Sequence, residues 1–217
     1  MAPTSSPLRA DARRNQEQVL EAARKVVLER GPGAPLDEIA RVAGVGIATL
    51  YRRFGDRDGL LKAVVLDALD RSRTAAEEAQ AQHDAGFDAL AAYLRTALEL
   101  RVAAVIPLVL DRLDLDDPEL GPARAASAAA MESLVDAAHD DKTLSPEITV
   151  GDIGTLVVRL SRPLPGSLPA EVESRLTQRH LDVMLAGLRA ATADTMSGSG
   201  LSLEDLSRTA EPPPLVE

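Results

Sequence analysis

Within eleven residues this chain gathers the side chains that nucleic acid asks for. Thr49, Tyr51, Arg52 and Arg53 follow one another almost without interruption, and Arg57 comes one turn later. A guanidinium pairs with phosphate oxygens or takes guanine O6 and N7 bidentately, and hydroxyls reach base edges or phosphates. Ala48 is small enough to let a helix sit deep in a groove. The methyls of Ile47 suit a thymine C5-methyl. Arg57 is expected at the start of the next helix, where free backbone N–H groups also favour a phosphate.

The flanking sequence, LDEIARVAGVGIATLYRRFGDRDGLL over 36–61, supplies elements to position these groups. Leu36, Ile39, Ala40 and Ala43 are apolar at helical spacing, Gly44-Val45-Gly46 interrupts the pattern, and Leu50 and Phe54 resume it. Two helices about a tight glycine-containing turn form the helix-turn-helix of DNA-reading proteins. The periodicity predicts helices over 12–30, 36–43 and 47–54, and a fourth from 57 toward 82 behind an Asp56 cap. Val19, Leu20, Ala23, Val26 and Val27 form the buried stripe of the first, and Leu60, Leu61, Val64, Val65, Ala68 and Leu69 that of the fourth.

The remainder also reads as helix, over 87–102, 107–113, 119–140, 148–161 and 170–192, with no stretch alternating strictly enough for a strand. Pro163, Pro165, Gly166 and Pro169 mark a sharp loop. The expected fold is therefore all-α: an N-terminal three-helix helix-turn-helix domain plus a larger C-terminal helical bundle. The predicted partition is a disordered arm over 1–10, a DNA-binding domain over 11–75, an effector-binding and dimerisation domain over 76–195 and a flexible tail over 196–217. The apolar run 102–110 is too greasy to be exposed. Pro107 is expected to break a helix there, which either serves core packing or opens a cavity.

Composition narrows the function. There is no Cys, so disulfides, thiolate metal sites and a Cys nucleophile are excluded. His83, His139 and His180 lie far apart, and no catalytic or metal constellation accompanies them, so neither enzymatic activity nor a cofactor nor a metal is expected. Asp114, Asp116, Asp117 and Glu119 read as a solvated acidic turn. No apolar run serves as a signal peptide or a membrane span, which leads us to expect a soluble, cytoplasmic protein without a membrane partner. The net charge of −10 hides an asymmetry. Residues 1–75 carry 13 Lys and Arg against 10 Asp and Glu, while 76–217 carry 11 against 24, so a mildly basic head precedes an acidic body.

The residues Ala40, Ala43, Gly44, Val45, Thr49, Leu50, Tyr51, Phe54, Arg57 and Leu60 stand in register with the helix-turn-helix signature of the TetR family of bacterial transcriptional regulators, which the chain resembles over about 13–66. Two positions depart from that pattern. Ala34-Pro35 stands where a Thr cap is usual, and Gly46 where a Ser cap is frequent. Both substitutes are compatible with a helix start, but two phosphate contacts are lost. Periodicity alone puts Ile47 on the face of Leu50 and Phe54, whereas the resemblance places it at the groove; partial exposure is the expectation.

The resemblance implies a homodimer that reads a pseudo-palindromic double-stranded operator, most simply as a repressor, through Ile47, Ala48, Thr49, Tyr51, Arg52, Arg53 and Arg57. It implies dimerisation through the last two helices, with Val172, Leu176, Val183, Met184, Gly187 and Leu188 as the interface. It also implies a pocket for a small, largely apolar effector, assigned to Phe87, Tyr93, Arg101, Val105, Leu108, Val109 and Arg112. The alternative is an effector-free DNA-binding dimer whose acidic body binds a protein partner. An apolar cavity in the body distinguishes the two.

Overall fold

The computed structural model describes residues 7–109, 112–114, 117–162, 164 and 168–202. Among these, nine α-helices follow in order: α1 (Pro7–Arg30), α2 (Leu36–Ala43), α3 (Ile47–Phe54), α4 (Arg57–Gln82), α5 (Gly86–Glu99), α6 (Val102–Val109), α7 (Leu120–Asp140), α8 (Val150–Leu160) and α9 (Ala170–Ala190). A single 3-10 turn, Ala193–Thr195, follows α9. None of the described residues belongs to a strand. The all-helical expectation holds.

The chain forms two compact units. One comprises Met1–Asp70 with Ala104–Arg124, the other Arg71–Ala103 with Ala125–Glu217. The sequence-based partition kept 76–195 together; in the structure Ala104–Arg124 groups with the N-terminal helices. The reason is apolar. Val105 of α6 is fully buried in a cluster with Val19, Leu20, Ala23 and Val26 of α1, Leu36, Ile39 and Ala40 of α2, Leu50 of α3, and Leu60 and Val64 of α4. Val109 and Leu120 complete a second cluster with Val27, Leu61, Val65 and Leu69. A side chain of this size contributes about 1.5–3 kcal/mol when fully buried. Three helices alone would leave the second cluster open on one side.

Local signals explain the short helices. Gly44 adopts φ 68, left-handed, and its N–H returns to Ala40 and Arg41, ending α2. Gly46, extended, starts α3 without a side-chain cap. The expected helix over 87–102 instead ends at Glu99, and the break falls at Arg101, with φ 52, rather than at Pro107, which lies inside α6. α1 begins at Pro7, earlier than expected. The expectations for residues 1–6, Leu110, Asp116, Pro163, Pro165, Gly166 and 203–217 fall outside the described residues.

Among the described residues of the first unit, one charged side chain is buried. Arg24 is 5% exposed and bonds Asp67 of α4 and Glu21 of its own helix, the latter at 2.5 Å. It ties α1 to α4 with a pair that is costly to break from one side.

The second unit closes on Leu90 and Leu94 of α5, Leu134 of α7, Ile153 of α8 and Leu181 of α9, all fully buried. α8 starts on a capping box, with Thr149 Oγ1 accepting from Asp152 N at 3.1 Å and the Asp152 carboxylate accepting from Thr149 N at 2.9 Å. The same Thr149 hydroxyl lies 2.8 Å from Leu201 O, so 196–202, expected to be mobile, is tied to the start of α8. Gly86 lets the start of α5 approach α7, since a Cβ there would lie 2.4 Å from the Ala137 carbonyl carbon. Its N–H donates to Asp141, whose carboxyl is held below the usual carboxylate range first by the Thr143 hydroxyl and then by this N–H.

Candidate nucleic-acid interface

α3 buries one residue completely, Leu50, and half-buries Thr49 and Phe54. Its outward side is open: Ile47 is 38% and Tyr51 50% exposed, and Ala48, Arg52 and Arg53 are exposed with them. Ile47 thus takes the partial exposure that the two conflicting cues averaged to. The helix shows solvent a small residue, a branched apolar residue, a phenol and two guanidinium groups. That combination can make apolar contact with a thymine methyl, bond base edges and bind phosphate.

Two of the expected contact residues have partners inside the protein. Arg53 Nη2 donates to Gln16 Oε1 of α1, which fixes the C-terminal end of α3 against α1. Arg57 is half-buried, and its Nη1 donates to Ala34 O and, at 3.3 Å, to Pro32 O. Arg57, expected as a phosphate ligand, thus also has a role within the fold. The turn between α1 and α2 ends in carbonyls without helical partners, and Arg57 satisfies them. Sequence reasoning missed Gln16, because its link to Arg53 spans 37 residues and has no local signal.

The joint between α3 and α4 is stiff. Gly59 N donates to Asp56 Oδ1 at 2.8 Å, the expected cap, and a Cβ on Gly59 would lie 2.1 Å from Phe54 O. Only glycine allows α4 to start this close to the end of α3.

The residues assigned to an effector pocket do not share one environment. Phe87 and Tyr93 are packed in the core of the second unit. The Phe87 ring is covered by the Arg189 guanidinium at 4.5 Å. The Tyr93 hydroxyl lies 2.9 Å from Ser72 Oγ, and burial pushes its phenol up against the smaller opposing effect of that bond. Val105 and Val109 are core residues of the first unit, while Leu108 and Arg112 are exposed. Arg101 borders a cleft of about 250 Å³ in the second unit, with Glu99, Arg162, Glu173 and Thr177. Of the aliphatic wall expected from 102–110, Val105 and Val109 are taken up in the core of the first unit, while Leu108 is exposed.

The expected dimer stripe also divides. At 3.6 residues per turn, Val172, Leu176, Val183 and Gly187 fall within an arc of about 60°, whereas Leu188 lies about 160° from Val172. The structure follows that geometry. Val183 is 64% exposed, Val172 38%, and Gly187 is exposed, but Leu188 is 6% exposed and packs with Leu181 and Leu185 in the core. Met184 is half-buried and lines a groove of about 460 Å³ between α8 and α9, with Leu156, Gly187 and Leu188.

Residues 19–64, the span from α1 into α4, match the family described as bacterial regulatory proteins, tetR family. Over 148 residues, 68% of this chain and 76% of the relative, the protein is 30% identical to the transcriptional repressor LfrR of Mycolicibacterium smegmatis. The chain belongs to the TetR family. It is a DNA-binding transcriptional regulator. A TetR transcription regulatory protein from Mycobacterium vanbaalenii superposes with a TM-score of 0.61 at 31% identity, over 85% of this chain and 100% of that one. LfrR, solved in complex with proflavine, superposes with a TM-score of 0.60 at 24% identity over 82% of this chain and 97% of that one, a likeness of fold. Among the described residues, no helix is long and apolar enough to cross a membrane.

Proposed function

We propose that this TetR-family regulator is a dimeric repressor that reads its operator with the outer face of α3. The observation that carries the reading is the joint exposure of Ile47, Ala48, Tyr51 and Arg52 on a helix whose opposite face is locked by Leu50. Thr49, half-buried, is a shorter-reach contact, and Arg53 serves phosphate from a position set by Gln16. Repression is supported by the likeness to LfrR, a named repressor. Two copies bind half-sites one helical turn apart or a multiple of it. The arc of exposed Val172, Val183 and Gly187 with half-buried Leu176 on α9 is the face offered for dimerisation. Selection of bound fragments from genomic DNA yields the operator, and Tyr51→Ala then reduces its affinity by about 1–3 kcal/mol with the fold intact. Wild-type affinity in that variant refutes the assignment of the reading helix.

Response to a small effector rests on the relative LfrR, which has been solved with proflavine. The cleft of Glu99, Arg101, Arg162 and Glu173 is the candidate seat. Its charges suit a ligand with polar groups better than the greasy molecule expected from the sequence. A flat cation would lack an open aromatic face, since Arg189 covers Phe87 and Tyr93 is packed beside Ser72. Those occupied aromatics favour the second reading, an effector-free dimer. A thermal-shift screen of charged and apolar small molecules separates the two. Stabilisation lost in Arg101→Ala supports the cleft, and a silent screen supports the effector-free protein.

A further inference from the structure

The acidic turn before α7 does more than face solvent. Lys62 Nζ, on the second turn of α4, lies 2.7 Å from Asp117 Oδ2 and 2.6 Å from Glu119 Oε2. The Lys62 and Asp117 side chains are only 26% and 20% exposed, so water screens this contact less than an ordinary surface pair. Asp117 Oδ1 also accepts from Glu119 N at 2.9 Å and Leu120 N at 3.4 Å, capping the start of α7. Immediately beside the ion pairs, Leu61 and Leu120 pack in one cluster with Val65 and Val109. The contact is thus an apolar seat with an ionic latch, and it joins α4 to a turn that begins 55 positions away in sequence, at Asp117.

The same α4 turn is coupled rigidly to α3. Gly59 leaves no room for even a methyl group against Phe54 O, and Leu60 and Val64 share a cluster with Leu50 and the half-buried Phe54. A rotation of the first turns of α4 therefore has to carry α3 with it. Resting on the assignment of α3 as the reading helix, we propose that Lys62, Asp117 and Glu119 form a positioning latch that sets α3 through α4, so that operator affinity depends on carboxylates whose charge alone would repel DNA. Lys62 is here a positioning residue. Asp117 and Glu119 add two negative charges to the DNA-reading unit, a burden that a merely solvated turn would not need to carry.

The sign of one variant decides the matter. Asp117→Asn/Glu119→Gln removes both charges while Asn keeps the α7 cap. Plain electrostatics then predicts tighter operator binding; the latch predicts binding weaker by about ten-fold, within the range seen when elements linking two sites are loosened. Lys62→Met gives a loss of similar size, Lys62→Arg restores most of it, and the triple variant is no worse than Lys62→Met alone, because all three groups act as one unit. Circular dichroism and a thermal midpoint near that of the full-length wild type show that the fold survives. Should Lys62→Met not fold, the carboxylate variant alone carries the test. Unchanged or tighter binding by Asp117→Asn/Glu119→Gln overturns the latch. Tyr51→Ala, measured in parallel, separates the two ideas: if it binds like wild type the reading helix is misassigned, and if it is weakened while the carboxylate variant is not, only the latch fails.

Discussion

α3 and α6 are both eight-residue helices, and they are used in opposite ways. α3 commits one side chain fully to the core and shows five residues to solvent. α6 has no charged side chain along its length, and Val105 and Val109 vanish into two different clusters of the first unit. A helix that must touch a partner keeps a polar outer face, and the pattern of that face names the partner's chemistry. A helix that is apolar all round is mostly buried, though Leu108 of α6 stays exposed, and nothing in its pattern says against what. The sequence therefore permitted α6 to be read as the wall of a cavity, whereas its Val105 and Val109 pack into the core of the first unit.

This contrast is sharpest where a charge is forced into α6. Val105→Asp places an unpaired carboxylate among α1, α2 and α4 and should cost on the order of 4 kcal/mol or more, enough to lose the fold in a denaturant titration. A stable variant would mean that α6 is not part of this core. Next in size is Arg24→Ala, which removes the buried guanidinium and its bonds to Asp67 and Glu21 and should destabilise by about 3 kcal/mol; a shift under about 1 kcal/mol would show the pair to be solvated. Gly59→Ala forces a methyl group onto Phe54 O and should cost about 1–3 kcal/mol, with operator affinity falling alongside, because the displaced backbone is that of α3. In the second unit, a similar contrast runs around α9. Leu188→Glu should unfold the protein, whereas Val183→Glu should leave it folded but shift its mass in light scattering toward the monomer. A folded Leu188→Glu protein, or a Val183→Glu protein unchanged in mass, contradicts the division of α9 into a core face and a free face.

What was legible in the sequence was local. Gly44, Gly46 and Asp56 act within a few residues of their own position, so the bounds of α2, α3 and the start of α4 followed from them directly. The exposure of Tyr51 followed from helical spacing, whereas that of Ile47 ran against it and came only from the family resemblance. What stayed hidden depends on long-range placement. The bonds of Arg57 to the carbonyls at 32 and 34 had no local signal, because those carbonyls lie more than twenty residues earlier. Asp117 looked solvated because Lys62 lies 55 residues earlier. Leu188 was grouped with Val183 although the turn angle between them separates core from surface. The break at Arg101 was assigned to Pro107 because a proline is visible in a sequence and a left-handed Arg is not.

The central claim is that Ile47, Ala48, Tyr51 and Arg52 on the outer face of α3 contact the operator while contributing little to holding the protein together. The most direct measurement is operator affinity at several salt concentrations for Arg52→Ala, alongside its thermal midpoint. The account predicts weaker binding, a salt slope smaller in magnitude by about 1 if the lost contact is to phosphate, and a midpoint like that of wild type. Wild-type affinity and slope, or a loss of affinity that only tracks a loss of folded protein, would contradict it.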